Sequence, residues 1–167
     1  MLVLGVDPGI AITGYGLVRS TEQGELACTG YGTVTTPAGL NEGERLNILF
    51  RELSQLIRDH TPDSSAVEKL FFQKNVRTAI SVGQARGVAL LTLEQAGCPI
   101  HEYTPNEIKQ TVCGYGNASK SQVQRMVQTL LDLGEIPKPD DAADALAVAI
   151  CHIHHHSFNQ VISQSQA

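Results

Sequence analysis

Residues 139–150 read Pro-Asp-Asp-Ala-Ala-Asp-Ala-Leu-Ala-Val-Ala-Ile. The pattern predicts a buried helix, because almost every residue after the first turn is apolar. Asp140 suits the N-cap, where its carboxylate would accept hydrogen bonds from backbone N–H groups. Asp141 and Asp144 are three residues apart and therefore share one face. Buried acids are costly without a partner, and no Lys or Arg follows Lys138, so these acids either pair with a distant cation or only complement the helix dipole.

The composition is typical of a single globular domain. The chain has 167 residues, of which 42% are hydrophobic and 17% charged, and no apolar run approaches the roughly 20 residues of a membrane helix. The N-terminus reaches an acid at Asp7 without a basic region, which predicts a strand and not a signal peptide. Four cysteines without metal-site spacing predict free thiols and a cytoplasmic location.

The charge is unevenly distributed along the chain. The formal net charge of −5 argues against non-specific binding of nucleic acid over the whole surface. Between Lys69 and Arg125, however, there are seven basic residues and three acidic ones. This local excess permits a basic surface on an otherwise acidic protein.

The hydrophobic periodicity predicts the order β-β-β-α-β-α-β-α-α, followed by the helix described above as the last element. The predicted strands cover residues 2–7, 13–19, 26–35, 65–68 and 100–103. The predicted helices cover residues 46–57, 78–95, 105–112, 120–133 and 140–150, and capping boxes begin at Thr104 and Ser119. The fold class is therefore α/β, with a five-stranded mixed sheet and helices on both faces. Residues 1–156 are expected to form one domain, and the Ser-, Gln- and Asn-rich residues 157–167 are expected to form a disordered C-terminal tail.

Four acids are expected to meet at one edge of this sheet. Asp7 and Glu68 end strands that the pattern makes parallel, so both carboxylates should lie at the carboxyl edge. If the last helix docks over that edge, Asp141 and Asp144 join them. Four carboxylates within a few ångströms cannot all ionise without a cation, and oxygen ligands favour Mg²⁺ or Mn²⁺ over zinc. Two such ions about 3.5–4 Å apart promote attack of water on a phosphodiester. Taken singly, Asp7 suits a turn cap equally well, and Glu68 is better explained as an exposed strand residue.

At these acids the chain resembles the RuvC-type Holliday junction resolvases. The motifs that carry the resemblance are Asp7-Pro-Gly, Glu68 followed by Phe-Phe-Gln-Lys-Asn at 71–75, Thr104-Pro, Lys109, Gly-Asn-Ala-Ser-Lys-Ser-Gln-Val-Gln at 116–124, and Asp141-Ala-Ala-Asp-Ala-Leu-Ala. They occur in order over about residues 1–156. The chain departs from some members of the family, which have His at the position of Asp141, and its acidic net charge leaves the extent of the DNA footprint open.

The resemblance implies an RNase H-like nuclease that makes paired symmetric nicks in four-way DNA junctions. It further implies a homodimer, two Mg²⁺ ions per active site with Mn²⁺ as a substitute, and a branch-migration motor of RuvA and RuvB proteins as partner. By position, Asp7, Glu68, Asp141 and Asp144 take the catalytic and metal-binding roles.

Several residues around the acids are expected to contact DNA. The resemblance places Lys109 and Lys120 beside the scissile strand, where a lysine would neutralise the phosphate. The aromatic side chain of Phe71, next to basic residues, would stack on unpaired bases. Each stacked base would contribute about 1–3 kcal/mol to the free energy of binding. The expected DNA contacts are Phe71, Lys74, Asn75, Arg77, Lys109, Ser119 and Lys120. Solvated lysines and a core phenylalanine are the plainer interpretation of the same residues.

Other functions remain open from the sequence. An actin-like or sugar-kinase ATPase would share the Asp7-x-Gly9 and Thr13-Gly14 pattern, but 167 residues provide neither a second domain nor a second glycine-rich loop. The acids would only cap helices in a non-catalytic junction-binding dimer. A generic RNase H-like nuclease would instead act on other nucleic acids, such as RNA–DNA hybrids.

A homodimer also follows from the substrate, because two matched cuts in a near-symmetric junction require two sites related by a two-fold axis. A helix face of small residues, namely Gly83, Ala85, Gly87 and Ala89, is the expected interface. The same pattern would also suit packing inside the protein. The sequence assigns no role to the histidines between His152 and His156.

Overall fold

The computed structural model describes residues 1–21, 23–69 and 76–165, with side chains except those of residues 76–78 and 160–165. The described strands are β1 (Leu2–Asp7), β2 (Ile12–Ser20), β3 (Leu26–Thr35), β4 (Ser64–Glu68) and β5 (Ile100–Tyr103). The described helices are α1 (Glu42–His60), α2 (Val76–Gln95), α3 (Pro105–Cys113), α4 (Lys120–Leu130) and α5 (Asp140–Ser165).

The strands form one mixed sheet in the order β3-β2-β1-β4-β5. β1 pairs antiparallel with β2 and parallel with β4, and β5 is parallel to β4. The predicted order of elements and the predicted directions of β1 and β4 are confirmed. As a result β1, which ends at Asp7, lies in the centre of the sheet beside β4.

The sheet is covered on both faces, as the α/β prediction required. On one face, Leu4 and Val6 of β1 pack in a core cluster with α1 and α2. On the other face, Val3 packs in a second cluster that contains residues of α3, α4 and α5. Leu4 and Val6 pack on one face and Val3 on the other because successive side chains of a strand point to opposite faces of the sheet. Every residue from Leu2 to Val6 is buried.

The helix boundaries confirm both predicted capping boxes. The hydroxyl of Thr104 accepts from the backbone of Glu107, and that of Ser119 accepts from the backbone of Gln122. The N-cap prediction for Asp140 is wrong. The Pro139 carbonyl accepts the first hydrogen bonds of α5, so Asp140 lies in the first turn.

Helix α5 is longer than the sequence pattern predicted. It continues to Ser165, whereas we expected residues 157–167 to be a disordered tail. No Gly or Pro follows Pro139 to end the helix, and adding one residue to an existing helix is far easier than starting one. Residues 166–167 lie outside the described part of the chain.

Two further observations concern the whole described structure. All four cysteines are free thiols. None of the described helices combines the length and the apolar character needed to cross a lipid bilayer.

Candidate active site

The first two acids lie at the carboxyl edge of the sheet. Asp7 is the last residue of β1, and Glu68 is the last residue of β4. The strands are parallel with Val6 opposite Val67, so the next residue on each strand brings the two carboxylates to the same edge. The sequence predicts this position for both carboxylates.

Helix α5 carries the second pair of acids across the sheet, and glycines allow its close approach. A Cβ atom at Gly5 would lie 2.0 Å from the backbone carbonyl oxygen of Ala145. A Cβ atom at Gly14 would lie 1.9 Å from the carbonyl oxygen of Asp141. Gly14 is also the residue of β2 that pairs with Asp7. The backbone of Asp141 therefore contacts the strand next to the one that ends in Asp7.

The electrostatics of Asp7 show that the acids lie close together. Its pKa is raised from the ordinary value of 3.8 to about 7, in the first place by burial. The charges of the three other acids, in the order Glu68, Asp144 and Asp141, add to the rise. The ammonium group of Lys120 acts in the opposite direction but does not outweigh them. Four carboxylates from three separate elements thus form one electrostatic unit, which we call the acid cluster.

Two other members of the acid cluster show the same effect. Burial is the main reason that the pKa of Glu68 is raised, and the charge of Asp144 adds to it, while Lys109 and Lys120 lower it. Burial also raises the pKa of Asp144, against the hydrogen bond and charge of Lys120. The cluster holds more negative charge than its lysines compensate.

Lys120 is the cation in closest contact with the acid cluster among the described residues. Its Nζ lies 3.0 Å from Oδ2 of Asp144 and 3.4 Å from Oδ2 of Asp140. Burial alone would lower the pKa of Lys120, but its interactions with Asp144 and Asp140 raise it overall. The Nε2 of Gln124 donates to Oδ1 of Asp140 at 2.9 Å. Asp140 therefore gives the lysine a second and longer contact, which sequence analysis does not predict because it treats Asp140 as a helix cap.

A cavity of about 230 Å³ opens beside the acid cluster. Among the described residues, its charged lining consists of two acids, Glu68 and Asp144, and two lysines, Lys109 and Lys120. Its described apolar lining consists of Pro105, Ile108, Val123 and Ala147. We call it the lysine cavity. Its lysines can bind an anionic ligand directly beside the carboxylates. This arrangement suits the hydrolysis of a phosphodiester, because the cations would stabilise its negative charge.

The donor set fits divalent cations. Carboxylate oxygens are the ligands that Mg²⁺ and Mn²⁺ prefer, and a cation at the acid cluster would relieve the repulsion that raises the pKa of Asp7. Within residues 1–21, 23–69 and 76–165, no group of three or more His, Cys, Asp or Glu side chains is close enough together to hold a metal ion.

The predicted DNA contacts are placed only in part. Lys109 and Lys120 line the lysine cavity, whereas the hydroxyl of Ser119 caps α4. Phe71, Lys74 and Asn75 lie outside the described residues, and the side chain of Arg77 is not described either.

His152, to which the sequence assigned no role, is a buried connection between α5 and the sheet. Its side chain is 2% exposed, and its ring stacks on His101 with the centroids 4.2 Å apart. One ring nitrogen lies 2.8 Å from the hydroxyl of Tyr103 and the other 3.0 Å from the hydroxyl of Ser64. Burial lowers the pKa of His152 to about 4, so the ring is neutral at physiological pH. No signal in the sequence distinguishes this histidine from its neighbours.

Known proteins resemble this chain over nearly its whole length. The family model of the crossover junction endodeoxyribonuclease RuvC matches residues 3–152. The RuvC of Syntrophomonas wolfei is 52% identical over 165 residues, which cover 99% of this chain and 95% of the relative. The structure of Thermus thermophilus RuvC superposes with a TM-score of 0.88 at 33% identity, covering 95% of this chain and 97% of the other.

A second Thermus thermophilus structure shows RuvC in complex with a Holliday junction substrate. It superposes with a TM-score of 0.86 at 30% identity and covers 95% of this chain and 96% of the other. These likenesses confirm the RNase H-like fold and the family resemblance expected from the sequence. The chain belongs to the RuvC family of crossover junction endodeoxyribonucleases, which are hydrolases acting on the phosphodiester bonds of DNA.

Proposed function

We propose that this protein resolves four-way DNA junctions by hydrolysing one phosphodiester bond in each of two strands. Asp7, Glu68, Asp141 and Asp144 are the proposed catalytic and metal-binding residues. The observation that carries the proposal is the convergence of four acids from β1, β4 and α5 at the carboxyl edge of the sheet, where burial and the three neighbouring acids raise the pKa of Asp7 to about 7. Such a concentration of buried negative charge at a sheet edge is costly for the fold and is typical of a catalytic site.

The proposed cofactor is Mg²⁺, with Mn²⁺ as a substitute and two ions per site. Such ions generate a nucleophile from water near neutral pH and stabilise the leaving oxygen. The four carboxylates would hold them at the carboxyl edge of the sheet. The support for this part is the chemistry of the donors and their shortage of compensating positive charge.

The two lysines have separate tasks in this proposal. Lys109 lines the lysine cavity and would neutralise a non-bridging phosphate oxygen. Lys120 has three N–H donors, so it can keep its contact with Asp140 and still donate to the phosphate. The apolar residues of the cavity would exclude water from this contact and so strengthen it. Phe71, Lys74, Asn75, Arg77 and Ser119 remain proposed DNA contacts.

A comparison of substrates tests the proposal. With Mg²⁺, the protein is expected to nick two opposing strands of a synthetic four-way junction, and a chelator should stop the reaction. Linear duplex and RNA–DNA hybrid of the same sequence should be cut at least about 100-fold more slowly than the junction. This ratio corresponds to a difference of roughly 3 kcal/mol in activation free energy. Equal cutting of the hybrid would identify a generic RNase H-like nuclease. Selective binding of the junction without cutting would identify a non-catalytic binder.

We further propose that the protein acts as a homodimer through the exposed face of α2. The expectation that Ala85 and Ala89 lie at the interface is wrong, because both are buried in the protein's own core. A Cβ atom at Gly83 or Gly87 would meet no atom of the described residues within 4 Å. Two large apolar side chains flank these glycines, with Ile80 60% and Leu91 54% exposed. Small residues between exposed apolar ones suit close packing against a second copy of the same helix.

Leu91→Glu is expected to convert the dimer to a monomer, because it places a charge in an apolar helix contact. Sedimentation equilibrium at micromolar concentration measures the change. Leu40→Glu is the matched control, since Leu40 is also exposed, at 36%, but lies outside α2. If Leu91→Glu sediments as the parent dimer does, this face of α2 is not the interface.

Two remaining proposals concern the protein's partner and its location in the cell. The resemblance supports a partnership with a branch-migration motor of RuvA and RuvB proteins, which would move the junction before it is cut. The four free thiols support a cytoplasmic location.

A further inference from the structure

A second cavity, of about 480 Å³, lies beside the acid cluster and is not used by the mechanism above. It is formed between the turn that joins β1 to β2 and the part of α2 that faces it. The described lining residues are Gly9, Ile10, Ala11, Ile12, Ser81, Val82 and Asp141. We call it the apolar pocket, and its volume falls within the roughly 300–1,000 Å³ of ligand pockets in proteins.

The apolar pocket and the lysine cavity are lined by different acids of the same cluster. Asp141 lines the apolar pocket, whereas Glu68 and Asp144 line the lysine cavity. Asp141 and Asp144 are three residues apart on α5, so the acid cluster borders both cavities. This arrangement allows one DNA strand to place a phosphate in the lysine cavity and a nucleoside in the apolar pocket.

The chemistry of the apolar pocket suits a nucleobase and not a phosphate. None of its described lining residues is a Lys or Arg, and its charged member is Asp141. A phosphate placed there would be repelled by that carboxylate. A nucleobase is flat and largely apolar on its faces, and the exposed side chain of Ile12, 38% accessible, offers it an apolar wall.

The walls of the apolar pocket are held by hydrogen bonds. The hydroxyl of Thr13 donates to the Gly9 carbonyl at 2.6 Å. The hydroxyl of Thr36 donates to the Ile10 carbonyl and accepts from Nε of Arg45 at 2.8 Å. A pocket that is already shaped in the absence of its ligand loses less entropy on binding.

We infer that the apolar pocket receives the nucleobase next to the scissile phosphate, and that Ile12 discriminates between bases at that position. The inference rests on the proposed function, because it needs a DNA strand at the acid cluster. Extruding a base from the stack costs a few kcal/mol, which depends on the base and on its pairing, so entry into the pocket creates a sequence preference at the cut.

Base entry is tested without cutting, in the Asp7→Asn variant. Junctions carry the fluorescent base 2-aminopurine at each position flanking the cut in turn. At one position, binding should raise the emission, since the base leaves the stack. The rise should be absent in Asp7→Asn/Ile12→Ser, which removes the apolar wall, and in Asp7→Asn/Ile12→Phe, which fills the pocket. Asp7→Asn/Leu40→Ser is the matched control and should keep the rise, because Leu40 does not line the pocket.

Discrimination is tested by cutting. The protein without substitutions should cut junctions that differ only in the base at that position at rates that differ by at least about 10-fold. Small changes in a group bound by an apolar pocket alter reaction rates on this scale. Ile12→Ser should bring these rates within about threefold of one another. The inference is overturned if emission rises at no flanking position although the junction is bound, or if Ile12→Ser keeps the parent's order and spread of rates. If the protein never nicks junctions, the proposed function is refuted. The emission assay then still shows whether a base enters the apolar pocket.

Discussion

Asp7→Asn is expected to abolish nicking of a four-way junction and, at the same time, to stabilise the metal-free protein. The loss of cutting should be at least about 10³-fold, because a carboxylate that holds the metal ions supports several kcal/mol of transition-state stabilisation. Binding of the junction should persist, because Lys109 and Lys120 line the lysine cavity and are unchanged. Opposite effects on activity and stability would distinguish a catalytic acid from a structural one.

The gain in stability follows from the pKa of Asp7. The pKa is about 7 in the folded protein and near its ordinary value of 3.8 when unfolded. Between about pH 4 and pH 7 the folded state therefore binds the proton that the unfolded state has released, so the metal-free protein loses stability as pH rises through this window. Above pH 7 the loss is complete. Its upper bound is roughly 4 kcal/mol, from about three pH units at 1.36 kcal/mol each.

Urea unfolding in the presence of a chelator, from pH 4 to pH 8, measures this difference. The free energy of unfolding of Asp7→Asn relative to the parent should increase with pH and level off near pH 8. Glu52→Gln, which removes an exposed acid of α1, should show no such trend. Added Mg²⁺ should stabilise the parent more than Asp7→Asn, because it binds the folded acid cluster. The assignment fails if Asp7→Asn is the less stable protein at pH 8, or if it still nicks at the parent rate.

The parts of this fold that the sequence predicts are those that depend on local patterns. The capping boxes at Thr104 and Ser119 involve residues three apart, and both are present. The position of Asp7 and Glu68 at one sheet edge follows from two apolar strands separated by a helix. In these cases the interacting groups are close in sequence, or the period of the pattern determines the direction of the side chains.

Contacts between distant residues could not be predicted in the same way. Lys120 contacts Asp140 from another helix, and the hydroxyls that contact His152 come from β4 and β5. Which residues meet there depends on how α5 packs on the sheet. The length of α5 was also underestimated, because its polar C-terminal composition resembles a disordered tail although nothing in it ends a helix.

The close packing of α5 on the sheet leads to the second large prediction, for Gly14→Ala. The added methyl group would lie 1.9 Å from the carbonyl oxygen of Asp141 and 3.1 Å from the backbone nitrogen of Ala142. Because both atoms belong to the backbone of α5, no side-chain rotation can relieve the overlap, and the start of the helix must move away from β2. Overpacking of this kind costs about 1–3 kcal/mol or more.

Activity should fall by more than the loss of stability explains. A displacement of about 1 Å at a catalytic group can reduce the rate about 100-fold, and Asp141 is the residue that Gly14→Ala displaces. Nicking should therefore be reduced even at a temperature where the variant is fully folded. Gly39→Ala is the matched control, because a Cβ atom there would contact nothing within 4 Å in the part of the chain that the structure describes. If Gly14→Ala unfolds at the same urea concentration as Gly39→Ala and nicks equally fast, α5 does not pack on β2 at this point. The position of Asp141 beside Asp7 would then not depend on this contact.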